Sequence, residues 1–296
     1  FFLYFGFILT AARAIKIRKN EISNNSGKPA ELTFTVIIAF RNESLNLPGI
    51  CRDLKKMDFD TNRLEVLFVD DHSTDDSVHC LINLLKGLPN GKLVRAEGKG
   101  KKSAIFQAVS LARGDWIVTT DSDCRLPNNW IKNIELKINE LTPVLLVQPV
   151  LTCTGTSLLS KFQYYDGLSL VALNLAFYAK KGSPLLASGA NLVYNKKSFE
   201  SAGAYFGNMN IASGDDMFLL AAFKQKFNSG LHLNYANDVL VKTRAEKKWN
   251  ALIVQRIRWV RKMKHLVNNR ANSLGLIAVS VQVLFLFILI AGFFNP

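Results

Sequence analysis

Residues 33–43 read TFTVIIAFRNE, an apolar run rich in β-branched side chains that ends in charged and polar residues. Similar apolar runs continue to residue 150, with helix-length amphipathic segments between them: Phe34–Ala39, Val66–Val69, Leu93–Arg95, Trp116–Thr119 and Val144–Val150. This alternation is typical of a mostly parallel sheet with crossover helices. The sequence therefore predicts an α/β fold that opens with a β-α-β-α-β unit of the nucleotide-binding type.

The segments between the strands have the spacing of helices with one buried face. Four apolar residues between the first two runs are three or four positions apart: Leu47, Ile50, Leu54 and Met57. Ser73 and Asp76 resemble a helix-capping pair ahead of the next helix. After residue 150 the pattern loosens into a helix-like segment at 157–179 and a short run at 191–194, which predicts a smaller acceptor-side subdomain.

Charge and hydropathy at the two ends of the chain indicate a membrane. The 296 residues include 37 Lys and Arg against 23 Asp and Glu, so the net charge of +14 favours an anionic partner. Basic residues follow the apolar stretch 1–12 and precede the uncharged stretch 274–294, which is long enough to cross a hydrocarbon core of about 30 Å. Because basic flanks favour the cytosolic side, we expect an integral protein of the cell membrane with a cytosolic catalytic domain.

These features predict four segments. We expect a membrane-helix fragment with its basic flank at 1–19, for which a buried or interfacial helix is the alternative, and a catalytic domain at 30–240. Amphipathic interfacial helices are expected at 241–272 and a transmembrane helix at 273–296. The four cysteines lack Cys-x-x-Cys spacing and the four histidines lack metal-ligand spacing, so neither set is assigned any chemistry.

Polar residues follow three of the predicted strands. They are Arg41-Asn42-Glu43, Asp70-Asp71 and Asp121-Ser122-Asp123. Ligands of open α/β sheets bind beyond the carboxyl ends of the strands, so we expect these side chains to face one crevice. Asp121 and Asp123 suit Mg²⁺ or Mn²⁺, which bind through one or two carboxylates together with substrate phosphates. Solvated turn carboxylates are the alternative.

Three further motifs carry candidate chemistry. The basic loop Gly98–Lys102 precedes a helix predicted to start near Ser103; it suits a diphosphate but lacks the spacing of a P-loop or a dinucleotide fingerprint, and it could be merely solvated. Gly214-Asp215-Asp216 precedes an apolar helical run, so its acids either provide a general base or complement the helix dipole. Gln255–Trp259 lies on a basic amphipathic helix that we expect at the lipid headgroup boundary.

Taken together and in this order, these motifs resemble glycosyltransferase family 2, particularly its membrane-bound branch that includes cellulose, chitin, hyaluronan and poly-N-acetylglucosamine synthases. The resemblance covers roughly residues 33–259 and includes Gln255-x-x-Arg258-Trp259. It implies a GT-A-type nucleotide-diphospho-sugar transferase fold. The sequence departs from the commonest family pattern at Ala39, His72 and Gly214-Asp215, which leaves the donor base and the acceptor open.

The resemblance also implies roles for individual residues on the donor side. Arg41, Glu43 and Asp71 would hold the base and ribose, and Lys101 would approach the diphosphate. Asp123, helped by the donor-side Asp121, would hold the divalent metal.

On the acceptor side, the resemblance implies that Asp216, beside Asp215, is the catalytic base. The acceptor and pyrophosphate end of the pocket would be framed by Gln255, Arg258 and Trp259.

The expected function is metal-dependent, inverting transfer of a sugar from a nucleotide-diphosphate sugar, with UDP-sugars favoured, to a hydroxyl of a sugar, lipid or polysaccharide acceptor. Cell-envelope polysaccharide or glycolipid synthesis is the expected setting, with membrane lipid as a further partner. Two alternatives stay open, a sugar-nucleotide nucleotidyltransferase and a catalytically silent nucleotide-binding membrane sensor. Nucleic acid is not an expected partner, because no interleaved basic and aromatic face lies away from the predicted membrane segments.

Overall fold

The computed structural model describes residues 30–203 and 214–263. The chain divides into two compact units, residues 1–245 and 246–296, and the described part of each is considered by itself. Within the described part of the first unit, seven strands form one sheet in the order β3-β2-β1-β4-β7-β5-β8. A two-stranded sheet pairs β6 with β9. The strands are β1 Phe34–Phe40, β2 Leu64–Asp70, β3 Gly91–Arg95, β4 Trp116–Thr119, β5 Leu145–Val147, β6 Val150–Thr152, β7 Leu192–Asn195, β8 Leu231–Leu233 and β9 Val241–Thr243.

Helices connect most of these strands. In chain order they are α1 Leu47–Lys55, α2 Ser77–Leu85, α3 Lys101–Leu111, α4 Trp130–Leu141, α5 Leu158–Lys181, α6 Lys196–Ala202, α7 Asp215–Lys226 and α8 Trp249–Met263. The first seven lie in the first unit and α8 lies in the second. Within the described ranges, no helix is both long enough and apolar enough to span a bilayer. The membrane segments predicted at 1–19 and 273–296 lie outside the described residues.

The pairing of the large sheet confirms the predicted α/β fold with a mostly parallel sheet. β1 pairs in parallel with both β2 and β4, β2 pairs in parallel with β3, and β5 pairs in parallel with β8. β7 is antiparallel to both β4 and β5. The parallel pairs bring the carboxyl ends of β1, β2 and β4 to one edge of the sheet, where the candidate site lies.

The central strands of the sheet are buried on both faces, as expected for strands that are apolar throughout. One core packs α1 and α4 against the face that carries Val36, Val66 and Val118. The other packs α3 and α7 against the face that carries Ile37, Leu67 and Ile117. Alternate residues of each strand therefore anchor different helices, and the two helices α3 and α7 lie on the same side of the sheet.

Two predictions about local structure were wrong. The run Val144–Val150 forms two strands in different sheets, because Pro149 has no N–H to continue a ladder. Instead, the Gln148 N–H donates to the Asn191 carbonyl at 3.2 Å.

The capping pair Ser73 and Asp76 was also wrong. The Ser73 hydroxyl accepts a hydrogen bond from the Asn42 N–H at 3.0 Å, which holds Ser73 in the loop after β2. Helix α2 begins later, at Ser77, and the side chain of its N-cap Asp76 makes no capping hydrogen bond.

Candidate active site

The loop after β4 presents two carboxylates in different surroundings. Asp121 Oδ1 accepts a hydrogen bond from Lys101 Nζ at 2.5 Å. Asp123 Oδ2 accepts one from Thr243 Oγ1 at 2.8 Å, at the end of β9. Burial, followed by the neighbouring charge of Asp121, raises the pKa of Asp123 above its ordinary value. The loop therefore concentrates negative charge that a bound cation would stabilise.

Lys101 is the first residue of α3, and its ammonium group lies among three carboxylates. Besides Asp121, its Nζ is 3.6 Å from Asp215 Oδ2. Burial alone would lower the pKa of Lys101, but the charges of Asp121, Asp215 and Asp216 outweigh it and raise the pKa. Lys101 thus stays charged and links the loop after β4 to the start of α7.

The neighbouring Lys102 does not join this group. Its side chain is buried and its Nζ lies 4.0 Å from the centre of the Phe218 ring on α7. A helix that starts at Lys101 turns consecutive side chains in different directions, so Lys101 and Lys102 point to different surroundings. The diphosphate contact predicted for the loop Gly98–Lys102 stays a prediction.

Asp71 and Glu43 follow neighbouring parallel strands. Asp71 Oδ1 accepts a hydrogen bond from the Gly100 N–H at 2.8 Å, immediately before Lys101. The Glu43 N–H donates to Ser77 Oγ at 2.7 Å, and its carboxylate accepts from Asn46.

The electrostatics of Glu43 tie it to the loop after β4. Burial raises the pKa of Glu43, and the charges of Asp123 and Asp121 add to the effect although the Asn46 hydrogen bond opposes it. Arg41 is exposed at the end of β1. The ends of β1 and β4 therefore bring Glu43, Asp121 and Asp123 into one electrostatic group.

The two acids at the start of α7 differ in exposure. Asp215 is buried, with 5 % of its surface exposed, and pairs with Lys101. Asp216 is half-buried; its Oδ2 accepts from the Gly189 N–H at 3.3 Å and its Oδ1 accepts from the Met217 N–H at 2.8 Å. The structure thus separates two adjacent carboxylates, one held inside and one partly open.

The sequence predictions missed two residues of this site. Thr243 orients Asp123 from a strand 120 positions later in the chain, and no local pattern marks it. Gly189 lies against the Lys101–Asp215 pair, since a Cβ atom there would be 2.8 Å from Asp215 Oδ2 and 3.3 Å from Lys101 Nζ. A Ser-Gly dipeptide such as Ser188-Gly189 is common in turns, but the sequence alone does not show its contact with the carboxylates.

The second unit contains the Gln-x-x-Arg-Trp motif on α8. Gln255 is half-buried and its Nε2 lies 3.3 Å from Glu246 Oε1. Arg258 and Trp259 are exposed, and the guanidinium of Arg256 lies 4.1 Å from the centre of the Trp259 ring. The placement of these three motif residues beside the acceptor stays a prediction.

The donor atoms around Asp121 and Asp123 fit a divalent cation of the Mg²⁺ or Mn²⁺ type. They are carboxylate oxygens, the atoms that Mg²⁺ and Mn²⁺ prefer. Burial and the charge of Asp121 raise the pKa of Asp123, and burial and the charges of Asp123 and Asp121 raise the pKa of Glu43. In the described residues, no group of three or more His, Cys, Asp or Glu side chains could hold a metal by itself. Two carboxylates with the remaining positions filled by substrate phosphates and water would agree with both observations.

Comparison of the sequence with known proteins gives matches over part of each relative. Residues 35–202 match the family model for glycosyl transferase family 2. A beta-monoglucosyldiacylglycerol synthase from Nostoc sp. is 25 % identical over 103 residues, which cover 34 % of this chain and 22 % of that protein. A probable glycosyltransferase from Sulfolobus acidocaldarius is 31 % identical over 147 residues, covering 48 % of this chain and 31 % of the relative. The chain thus aligns with less than a third of the length of these relatives.

Solved structures share the fold. The mannosyltransferase PcManGT from Pyrobaculum calidifontis, in complex with GDP-Man and Mn²⁺, superimposes with a TM-score of 0.65 at 20 % identity over 88 % of this chain and 70 % of that one. TarS 1–349 from S. aureus, in complex with UDP-GlcNAc, superimposes with a TM-score of 0.55 at 16 % identity, over 81 % of this chain and 69 % of that one. Because the family model covers more than half of the chain, the protein belongs to glycosyl transferase family 2 and is a glycosyltransferase.

Proposed function

We propose that this glycosyltransferase moves a sugar from a nucleoside-diphosphate sugar to an acceptor hydroxyl with inversion at the anomeric carbon and with the help of Mg²⁺ or Mn²⁺. The observation that carries the proposal is the position of Lys101 between Asp121 and Asp215. Lys101 thus lies between the carboxylates suited to a metal and those suited to a base. A displacement reaction needs the metal on the leaving-group side of the anomeric carbon and the base on the opposite side.

The donor side would be formed by the ends of β1, β2 and β4. Arg41, Glu43 and Asp71 would contact the base and ribose, and Asp123 with Asp121 would hold the cation. A cation bound there would stabilise the negative charge that develops on the leaving diphosphate. UDP-sugars are the favoured donors from the sequence resemblance, and the structural neighbours carry both UDP-GlcNAc and GDP-Man.

The acceptor side would depend on Asp216. A neutral hydroxyl becomes a good nucleophile when a base within hydrogen-bond reach takes its proton. The Asp216 carboxylate would accept that proton while the acceptor oxygen bonds to the anomeric carbon and the bond to the diphosphate breaks, with the electron pair leaving on the phosphate oxygen. Asp215 suits this base role less well, since it is buried and paired with Lys101.

The acceptor class proposed is a sugar, lipid or polysaccharide hydroxyl at the cytosolic face of a membrane. The basic, apolar and aromatic composition of α8 and the apolar stretch 274–294 support this setting. The name of one relative refers to a diacylglycerol glycolipid, which supports testing a lipid acceptor first. Gln255, Arg258 and Trp259 would frame the acceptor end of the pocket.

The direct test is a transfer assay on membranes that contain the full-length protein. Radiolabelled UDP-sugars and GDP-sugars are supplied with Mn²⁺, and the product is analysed for its anomeric configuration. We expect incorporation from one donor class and a product inverted relative to the donor. Retention of configuration would contradict the single-displacement mechanism, and release of pyrophosphate from a nucleoside triphosphate and a sugar phosphate would favour the nucleotidyltransferase alternative.

The base assignment is tested by Asp216→Asn, because the amide keeps the shape and cannot accept the proton. We expect turnover to fall by about a hundredfold or more. Asp58→Asn, which removes a charge from an exposed residue of an ion pair with Lys132, serves as the matched control and should leave turnover unchanged. Near-normal turnover in Asp216→Asn would rule out Asp216 as the base.

A further inference from the structure

Lys101 is bound on both sides by protein carboxylates. Its ammonium lies 2.5 Å from Asp121 Oδ1 and 3.6 Å from Asp215 Oδ2. One third of the Lys101 side chain is exposed, against 7 % of the Asp215 side chain. Asp215 is therefore the more buried partner, and the positive charge of Lys101 compensates its negative charge.

The backbone around the pair leaves it little freedom. Asp215 is the first residue of α7 and Lys101 the first residue of α3, so the ion pair joins the N-terminal ends of two helices on the same face of the sheet. Gly189 lies close to both side chains, and a Cβ atom at this position would contact both. The Gly189 N–H also donates to Asp216.

We propose that Lys101 is a positioning residue. Its ammonium couples Asp121 to Asp215 and thereby sets the start of α7, with the base Asp216, relative to the loop that carries Asp121 and Asp123. This role replaces the diphosphate contact implied by the sequence resemblance, because the ammonium is already engaged by two carboxylates. The inference rests on the proposed function for its effect on turnover, but its effects on cation binding and unfolding do not depend on transfer.

Cation binding gives the first test. A cation at Asp121 and Asp123 competes with Lys101 for Asp121, so Lys101→Met should strengthen the binding of Mn²⁺ alone by about threefold or more. Free Mn²⁺ is measured by electron paramagnetic resonance without nucleotide. Lys132→Met, which breaks the exposed pair with Asp58 at 3.0 Å, should leave the affinity unchanged. Unchanged or weaker Mn²⁺ binding in Lys101→Met would overturn the proposal.

A double-mutant cycle gives the second test. If Lys101 acts through Asp215, the double variant Lys101→Met/Asp215→Asn should turn over no more than about threefold slower than Asp215→Asn alone. Lys101→Met alone should lower kcat by about tenfold or more while KM for the donor changes by about threefold or less. Independent effects that multiply, or a raised donor KM with normal kcat, would assign Lys101 to the diphosphate instead.

The same cycle measured by urea unfolding separates this proposal from the proposed function. If the unfolding midpoints of the four proteins in the cycle are non-additive but the wild type transfers no sugar, the Lys101–Asp215 coupling is supported and the proposed function is contradicted. Additive midpoint shifts together with normal transfer would reject the coupling and keep the function.

Gly189→Ala displaces the pair without removing a charge. We expect a fall in kcat in the same direction as Lys101→Met. Gly167→Ala is the matched control, since its Cβ would lie at an ordinary contact distance of 3.5 Å from Leu151, and it should behave like the wild type. Equal turnover of the two alanine variants would contradict the proposed positioning role.

Discussion

Asn42 and His72 occupy left-handed backbone conformations two positions after the ends of β1 and β2, with φ angles of 56° and 59°. The Asn42 side-chain oxygen accepts a hydrogen bond from the Thr74 N–H at 2.8 Å, and the Asn42 N–H donates to Ser73. The His72 ring is nearly half exposed beside Asp71. Asn42 therefore connects two loops of the site, whereas the His72 ring makes a longer contact, 3.4 Å from Nδ1 to Asp71 Oδ1, with the adjacent residue of its own loop.

These two residues should respond oppositely to glycine. His72→Gly removes a side chain from a left-handed position, and we expect the free energy of unfolding to stay level or rise by up to about 1 kcal/mol. Asn42→Gly removes the acceptor for the Thr74 N–H and should lower the free energy of unfolding by about 1 kcal/mol or more. Urea unfolding of both variants measures the difference, and equal effects would contradict the distinction.

The raised pKa of Asp123 predicts a pH-dependent stability. The Asp123 carboxyl binds its proton more tightly in the folded state than in the unfolded chain, where its pKa is near the ordinary value of 3.8. The metal-free protein therefore loses stability as pH rises from 3.8 through the higher pKa of the folded state. Asp123→Asn keeps an acceptor for Thr243 and should be more stable than the wild type at pH 7 without metal. The difference should disappear below the ordinary pKa.

Two measurements check this prediction. Thermal unfolding of both proteins across pH gives the sign, and addition of Mn²⁺ should stabilise the wild type only. An Asp123→Asn variant that is less stable at pH 7 and equally stabilised by Mn²⁺ would contradict it.

At the scale of elements, apolar runs predicted most strands of the parallel half, because these strands are buried on both faces and their composition reports burial directly. Strand order could not be predicted in this way. β7 inserts antiparallel between β4 and β5, and its pairing with β4 joins residues more than 70 positions apart in the chain. The split at Pro149 was readable in principle from the missing N–H, but the apolar run around it obscured the break.

The backbone at Gly114 packs closely against the start of β1, which predicts the effect of adding a side chain there. A Cβ atom at the buried Gly114, just before β4, would overlap the backbone of Phe34 and Thr35. Gly114→Ala should therefore lower the free energy of unfolding by about 3 kcal/mol. Gly182→Ala, at a φ of 72° after α5 with open space around it, should cost about 1 kcal/mol from conformation alone. Urea unfolding that ranks Gly182→Ala as the more damaging change would contradict this reading.

At the scale of the whole molecule, charge is distributed unevenly along the chain. Residues 246–296 contain eight Lys and Arg and one acidic residue, whereas residues 30–245 contain 24 Lys and Arg and 21 acidic residues. On α8, apolar side chains four positions apart are exposed: Trp249, Ile253 and Ile257. The excess charge thus lies outside the catalytic fold, as a basic region next to a membrane would require.

The acidic residues of the site could be predicted at this scale, because each follows a strand or begins a helix and matches a family motif. The links between them could not. Lys101 to Asp215, Thr243 to Asp123 and Gly189 to Asp216 join positions that only the folded chain brings together.

We expect membrane association from the same distribution of charge and apolar residues. We expect the protein to stay in the membrane pellet after alkaline carbonate washing, and a variant lacking residues 273–296 to lose this resistance. The truncated variant should still bind vesicles that contain anionic lipid through α8, more weakly as salt is raised. Release of the intact protein by carbonate alone would contradict the predicted transmembrane helix.

The convergence of the carboxylates on one cation and one diphosphate is tested most directly by anomalous diffraction at the manganese edge, on crystals of the protein grown with Mn²⁺ and UDP or GDP. We expect a single manganese peak within coordination distance of Asp123 and of the nucleotide phosphates, with Lys101 still in contact with Asp215. A manganese ion and nucleotide bound away from Asp121 and Asp123 would contradict it.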